Sequence, residues 1–178
     1  MPRATTALFD ALARWLEYPV GPLGTDETLL PELEPLEVRP AVTAFLGVME
    51  SLGQDEREEL YTRTFDINPV CSLEVGWHVY GETYDRGGML VKVRGLMREC
   101  GVAENRELPD HLPQILRLFA RLDDGRARKL ALAFIQPALE KMIAAFQEGA
   151  NPYRQILTAT SLLVAERRQA LEEALQDA

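Results

Sequence analysis

Carboxylates and histidines stand at helical spacing between residues 61 and 111, a stretch that also contains both cysteines. Glu74, His78 and Glu82 are four residues apart, so a continuous helix would place them in a row along one face. Glu107 precedes His111 by the same spacing. Dinuclear metal centres in helical bundles instead use Glu-x-x-His on two helices. We therefore expect no bound metal and no cofactor. The alternative that stays open is a metal- or haem-binding helical enzyme built on His78 and His111.

The pair Asp110-His111 allows two interpretations. Asp110 is well placed to cap the start of a helix, since its carboxylate can accept from free backbone N–H groups. His111, at the same helix start, would have its charged form disfavoured by the helix dipole and could present a neutral imidazole to a partner. The sequence offers no nucleophile beside the pair, no glycine-rich phosphate loop, no nucleophile elbow and no His-Glu-x-x-His. A catalytic site is therefore not expected.

Composition limits the partners that such a site can have. The chain has 178 residues, 47% of them hydrophobic, and a formal net charge of −9. This size favours one domain over residues 1–178 with one core. The acidic balance argues against a nucleic-acid partner, which would require a basic surface. Cys71 and Cys100 lack the spacing of a zinc or redox motif and are expected to be buried thiols.

The first residues of the chain and its most apolar stretch bear on localisation. Residues 1–3 lead directly into an amphipathic pattern, without the basic, apolar and small-residue regions of an export signal. The stretch 130–146 is interrupted by Gln136, Pro137, Glu140 and Lys141, which a membrane span would not tolerate. We expect a cytoplasmic protein with no stable membrane insertion.

Helical periodicity dominates the rest of the chain. Apolar residues at three- and four-residue spacing predict a first helix ending before Pro19, and others over 42–53, 55–64, 110–122, 130–149 and from Asn151-Pro152 onwards. Asp123-Asp124-Gly125 separates two of them, and Pro137 should bend the next. Residues 19–40 contain five prolines and are expected to be a connector. No stretch alternates as a strand does.

Two further helices should carry the polar residues of the central stretch. Asn68-Pro69 is a typical helix start, and Val70, Leu73, Trp77, Tyr80 and Tyr84 would form the apolar stripe of that helix. Asp85 is expected to cap the next helix, which should end at Gly101. The sequence thus predicts an all-α bundle of about seven to nine helices. In it, the row Glu74, His78 and Glu82 would line a groove.

Four short motifs in this stretch resemble, in order and spacing, a known family. The motifs cover about a third of the chain and are Tyr61-Thr62-Arg63-Thr64-Phe65-Asp66; Ser72-Leu73; His78-Val79-Tyr80-Gly81-Glu82 with Asp85-Arg86-Gly87; and Arg106-Glu107-Leu108-Pro109-Asp110-His111-Leu112-Pro113. They are similar to the NarJ-type nitrate reductase assembly chaperones, also called delta subunits, of the TorD/DmsD group of redox-enzyme maturation proteins. The segments 67–71 and 74–77 depart from the commonest nitrate reductase form, which leaves the client open.

The resemblance implies a cytoplasmic helical chaperone without catalytic activity. Such a protein binds the catalytic subunit of a molybdenum oxidoreductase, often through its N-terminal peptide, and supports molybdenum cofactor insertion before docking or export. The client would be nitrate reductase or a related enzyme of the dimethyl-sulfoxide-reductase class, and the chaperone a monomer or weak dimer. The family's Glu-x-x-Asp-His motif, beside its peptide groove, matches Glu107, Asp110 and His111. The expected client-binding residues are Tyr61, Phe65, Asp66, Glu74, Trp77, His78, Glu82, Asp85, Arg86, Glu107, Asp110 and His111.

Overall fold

The computed structural model describes residues 4–24, 38–146 and 151–176, and these ranges form an all-α bundle, as predicted. The α-helices are α1 (Ala4–Trp15), α2 (Val38–Ser51), α3 (Gln54–Tyr61), α4 (Val75–Tyr80), α5 (Tyr84–Glu99), α6 (Leu112–Arg121), α7 (Asp124–Leu130), α8 (Gln136–Ala145) and α9 (Pro152–Gln176). Two π-helical segments continue helices, Thr62–Asp66 after α3 and Ala131–Ile135 after α7. The described ranges contain no strand, only one isolated antiparallel bridge between Glu74 and His111.

The long helix α9 organises the core. It packs against α2 and α8, and α1 packs against α6. Where α1 and α6 meet, the rings of Phe9 and Phe119 make an edge-on contact with centroids 5.1 Å apart. Tyr153 at the start of α9 contacts Phe45 and Phe65, so the core is continuous from α2 through the first π-helical segment.

Helices with a clear apolar stripe begin and end close to their predicted positions. The predicted apolar face of α1 is buried: Leu8, Phe9, Leu12, Trp15 and Leu16. At the start of α9, Asn151 Oδ1 accepts a hydrogen bond from the Tyr153 amide at 3.0 Å, which confirms the predicted cap. The predicted connector over residues 19–40 ends too late, because Val38–Pro40 belong to the first turn of α2, where proline is tolerated. Its middle, residues 25–37, lies outside the described residues.

The predicted helix from Asn68 to Tyr84 is wrong at both ends. Asn68 begins a turn, in which the Cys71 amide donates to the Asn68 carbonyl at 3.0 Å, and α4 starts only at Val75. Six residues later Gly81 takes a φ of 62°, which lies outside the right-handed helical region and so ends the helix. Glycine suits this position because residues with a side chain rarely adopt a positive φ. Glu74 therefore lies before α4 and Glu82 after it, so the predicted row does not exist.

Two predicted caps are also wrong. Thr83, not Asp85, holds the N-cap position of α5, and Asp85 lies within the first turn. His111, not Asp110, precedes α6. Beyond α6, Asp123 caps α7 by accepting from the Arg126 amide at 2.9 Å. A π-helical segment precedes α8, and Pro137 lies in the first turn of α8; the bend near Pro137 stays a prediction, and the predicted end at Gly149 lies outside the described residues.

Candidate functional site

Asp110 is the buried centre of the predicted site. Its side chain is fully buried, and its Oδ2 accepts hydrogen bonds from the Gly76 amide and from Arg86 Nε, both at 3.1 Å. Arg86 also donates through Nη2 to Glu74 Oε2 at 2.7 Å. The second oxygen of Asp110 is buried without a partner among the described residues. Asp110 thus joins the loop before α6 to the first turn of α4 and the first turn of α5.

Backbone hydrogen bonds hold the same junction together. The Val75 amide donates to the Asp110 carbonyl at 2.9 Å, and the Leu112 amide donates to the Leu73 carbonyl at 2.8 Å. These two bonds flank the isolated bridge between Glu74 and His111. Asp110 is therefore held from its main chain as well as its side chain, and its carboxylate does not reach solvent.

His78 lies inside the bundle. Its side chain is almost completely buried, and Nε2 lies 2.6 Å from the Ser72 carbonyl oxygen. Burial lowers the pKa of the imidazole, and the nearby Lys141 lowers it further. Lys141 donates to the His78 carbonyl, which ties α4 to α8. Glu74 is half-buried beside Arg86, while Glu82 is exposed, so these three side chains have different environments.

His111 is buried at the N-cap of α6. Burial lowers its pKa to about 4, and Nδ1 has no partner among the described residues. The imidazole is therefore neutral at physiological pH, as predicted, but the main cause is burial rather than the helix dipole. The charged groups near it are Glu17, Asp110 and Arg117, whereas those near His78 are Lys141 and Glu74. Within the described residues, no cluster of three or more His, Cys, Asp or Glu could hold a metal ion.

Tyr61 connects the predicted site with a surface that the sequence did not indicate. Tyr61 and Phe65 are buried, and their rings pack against each other and against Tyr153. Burial raises the pKa of the Tyr61 hydroxyl, and the nearby carboxylates of Asp66, Glu107 and Glu17 raise it further. On its outer side, Tyr61 contacts the ring of Tyr18, with centroids 5.3 Å apart. Tyr18 is 41% exposed.

Two concavities meet at Tyr18, and together we call them the Tyr18 groove. The first, of about 450 Å³, carries most of the acidic side chains and is lined by Tyr18, Asp55, Glu58, Glu59, Thr62, Arg63 and Ile67. The second, of about 200 Å³, has Glu17 as its one carboxylate and is lined by Arg14, Trp15, Glu17, Tyr18, Pro19, Val20, Gly21, Pro22, Leu23, Gly24, Met49 and Tyr153.

Exposed apolar side chains accompany these carboxylates. Val20 is 78% exposed and Ile67 is 71% exposed, and both line the Tyr18 groove. The Tyr18 hydroxyl donates to Glu58 Oε2 at 3.1 Å, which fixes the ring at the junction of the two concavities. A groove in which three carboxylates stand beside exposed apolar side chains suits a segment that has a basic end and an apolar body.

The predicted residues therefore divide into two groups. The first group lies near Tyr61 or Glu17 and consists of Tyr61, Phe65, Asp66, Glu107 and His111. The others lie on or beside α4 and α5 and are Glu74, Trp77, His78, Glu82, Asp85 and Arg86, and Asp110 links the two groups. Trp77 is half-buried, and Asp85 is exposed.

Sequence reasoning missed Tyr18, Val20, Glu58 and Ile67. The available signals were an aromatic and an aliphatic residue beside Pro19 in a polar connector, and the acidic run 55–59. Neither signal shows from sequence alone that these segments adjoin. As to membranes, none of the described helices is long and apolar enough to cross one.

Comparisons with known proteins identify the family. The model of the family described as nitrate reductase delta subunit matches residues 32–159. The chain is 31% identical over 149 residues to the nitrate reductase molybdenum cofactor assembly chaperone NarJ of Escherichia coli K12, covering 80% of this chain and 63% of that protein. It is 26% identical over 121 residues to the probable chaperone NarW of the same strain, covering 67% of this chain and 52% of that protein. The chain thus spans less than two thirds of the length of these relatives. With the all-α fold and a family match over most of its length, the chain belongs to the nitrate reductase delta subunit family.

Proposed function

We propose that this chain is a cytoplasmic assembly chaperone, not an enzyme, for the catalytic subunit of a molybdenum oxidoreductase. The curated relatives are named as nitrate reductase molybdenum cofactor assembly chaperones, so nitrate reductase is the favoured client. A related enzyme of the dimethyl-sulfoxide-reductase class is the other candidate. The chaperone binds the client before its cofactor is inserted. The molybdenum cofactor belongs to the client.

The observation that carries the proposal is the Tyr18 groove. It contains the carboxylates of Asp55, Glu58 and Glu59, and it exposes Val20 and Ile67. A client peptide with a basic head and an apolar body would place its charges on the carboxylates and its apolar side chains on Val20 and Ile67. We propose the N-terminal peptide of the catalytic subunit as the bound segment.

The residues indicated by the sequence have different roles in this proposal. Asp66 and Glu107 add negative charge beside Tyr61, and so strengthen attraction for a basic peptide. Tyr61 and Phe65 support the ring of Tyr18 from below. Asp110 acts indirectly, because its bonds to Arg86 and Gly76 hold the loop that carries Glu107.

A metal- or haem-binding enzyme on His78 and His111 receives no support. The two imidazoles lie among different charged neighbours, and His78 Nε2 is engaged with the Ser72 carbonyl. No observation on the described residues favours a reaction over binding. The chaperone function is therefore the only one proposed.

Calorimetric titration with a synthetic peptide that copies the N-terminus of the catalytic subunit tests the groove. Glu58→Lys and Ile67→Ser should each weaken binding about fivefold, roughly 1 kcal/mol, because one loses a carboxylate and the other an apolar contact. Glu140→Lys is the matched control, since Glu140 is exposed on α8 and lines neither part of the groove. Equal binding by all three variants and the wild type would place the peptide elsewhere.

Assembly itself is tested in cells. Deleting this chain should leave the catalytic subunit present but low in molybdenum, measured by elemental analysis of the purified subunit. Wild-type protein supplied from a plasmid should restore the molybdenum content. A catalytic subunit with full molybdenum content in the deletion strain would rule out the chaperone function.

A further inference from the structure

A third concavity lies between α5 and α7. We call it the α5–α7 cleft. It has a volume of about 420 Å³, and its apolar surface comes mainly from Tyr80, Met89, Val93, Leu96, Leu130 and Phe134. This volume lies within the usual range of ligand sites. None of the residues that line the Tyr18 groove lines this cleft.

The two walls of the cleft are helical; their deeper apolar side chains belong to the core, while Tyr80, Leu96, Ala133 and Phe134 keep some apolar surface open. Met89, Val93 and Leu96 stand on successive turns of α5, and Leu130 and Phe134 are one turn apart on the facing wall. Leu96 and Phe134 are only half-buried. A mainly apolar trough between two helices can receive the apolar stripe of a third helix.

The lips of the cleft are basic, although the whole chain has a net charge of −9. Four of the six charged residues of α5 are basic, as are three of the four in α7. All five of the arginines on these two helices are paired; Arg126, for example, contacts Glu99 and Asp123.

The lysines of the two lips differ from these arginines. Lys92 stands on the α5 lip and Lys129 on the α7 lip. Both are exposed, and neither forms an ion pair within the described part of the chain. Asp85 is the one carboxylate among the residues that line the cleft. The excess positive charge therefore comes from one unpaired ammonium group on each side of the trough.

We propose that the α5–α7 cleft binds an acidic amphipathic helix of a partner protein. The apolar stripe of that helix fills the trough, and carboxylates on either side of the stripe pair with Lys92 and Lys129. Charge excludes the basic-headed peptide assigned to the Tyr18 groove, because like charges would meet at the lips. This inference goes beyond the proposed function and does not depend on it.

Two designed helical peptides test the cleft. They share the same leucine stripe and differ only in their flanking residues, which are glutamate in one and lysine in the other. Fluorescence polarisation with the whole chain should show the glutamate peptide binding at least tenfold more tightly than the lysine peptide. The double variant Lys92→Glu/Lys129→Glu should reverse this preference. Arg154→Glu is the charge control, since Arg154 is exposed on α9 and does not line the cleft.

A second variant tests the apolar trough separately from the lips. Ala133 lines the cleft and is exposed, so Ala133→Trp should fill the space without disturbing the core. This variant should bind the glutamate peptide at least tenfold more weakly, while its melting temperature stays that of the wild type. If neither the lip variant nor Ala133→Trp alters binding of the glutamate peptide, or if both peptides bind equally well, the proposal is wrong.

The outcomes also separate this proposal from the chaperone function. Glu58→Lys, which lies in the Tyr18 groove, should leave the glutamate peptide unaffected. Lys92→Glu/Lys129→Glu should leave the catalytic-subunit peptide unaffected. The proposal for the Tyr18 groove and the proposal for the α5–α7 cleft can therefore be refuted independently.

Discussion

At the scale of single residues, Asp110 shows how a residue suited to a helix cap can have another role. Its carboxylate is buried and accepts from Gly76 and Arg86, in contrast to Asp123, which is an exposed N-cap. A buried carboxylate paired with a guanidinium contributes to stability mainly because removing either partner leaves the other uncompensated. Asp123 accepts from the Arg126 amide and pairs with the Arg126 guanidinium, but both side chains are exposed, so the ion pair adds little to the cap.

Substitution of Asp110 should therefore lower the stability of the fold more than substitution of Asp123, the cap of α7. We expect Asp110→Ala to lower the free energy of unfolding by about 3 kcal/mol and Asp123→Ala by about 1 kcal/mol. Asp110→Asn should fall between wild type and Asp110→Ala, because it keeps an acceptor oxygen but loses the charge. Urea denaturation measures all three. If Asp110→Asn leaves the free energy of unfolding unchanged, the ion pair with Arg86 contributes nothing to stability.

His111 makes stability depend on pH. Its folded pKa of about 4 lies below the ordinary value of 6.5, so the unfolded chain binds a proton more readily than the folded one. The contribution of His111 to stability is complete above pH 6.5 and is lost as pH falls towards 4, by roughly 3 kcal/mol. His78 acts in the same direction, since burial also lowers its pKa.

The pH dependence can be assigned to His111 by substitution. His111→Gln cannot titrate, so its unfolding free energy should fall less than that of the wild type between pH 7 and pH 5. Carboxylates titrate in both proteins, and their effect cancels in the difference. Urea midpoints at the two pH values give the result, and parallel pH profiles for the two proteins would contradict the buried, neutral imidazole.

At the scale of elements, the short helix α4 depends on a close approach at Gly76. A Cβ atom added there would lie 2.6 Å from Asp110 Oδ2 and 2.9 Å from Met89 Sδ, closer than packed atoms can stand. Gly95, in the middle of α5, has no heavy atom within 4 Å of an added Cβ. Two helical glycines therefore differ in what a methyl group would meet.

Alanine substitutions at these two glycines should have opposite signs. Gly76→Ala should destabilise the fold by about 2 kcal/mol, because Asp110 and Met89 must move. Gly95→Ala should stabilise it by about 1 kcal/mol, since alanine restricts the unfolded chain and favours the helix. Thermal and urea unfolding of both variants check the prediction. A stable Gly76→Ala variant would show that the Asp110 junction has room to relax.

At the scale of the whole molecule, charge is distributed unevenly. The net charge is −9, yet the charged residues of α5 and α7 are mostly basic. The carboxylates of Asp55, Glu58 and Glu59 lie in the Tyr18 groove instead. Such a distribution steers oppositely charged partners to different surfaces before contact. Affinity then depends on the apolar parts of each groove.

Binding of the basic-headed client peptide should therefore depend on salt. We expect its association rate constant to fall about tenfold between low salt and 0.5 M salt, because the screening length shortens to a few ångströms. Dissociation should change less. Stopped-flow fluorescence measures both, and a peptide whose basic residues are replaced by glutamine serves as the control. A salt-independent association rate would remove the electrostatic part of the proposal.

The sequence by itself determined the all-α class and the positions of the strongly amphipathic helices. The apolar faces of α1 and α6 and the Asn151 cap of α9 follow from periodicity and local hydrogen bonding, which act within a few residues of chain. The motifs between Tyr61 and His111 likewise carry the family resemblance, and residues 32–159 match the family.

Only the tertiary structure decided what the polar residues between those helices contact. The break at Gly81 and the bridge between Glu74 and His111 separate side chains that a single helix would have aligned. Asp110 meets Arg86, and Tyr18 meets Tyr61, across 24 and 43 residues of chain respectively. Local patterns carry no information on such pairs, because packing of distant segments fixes them. For the same reason, the two oppositely charged grooves exist only after the helices have packed.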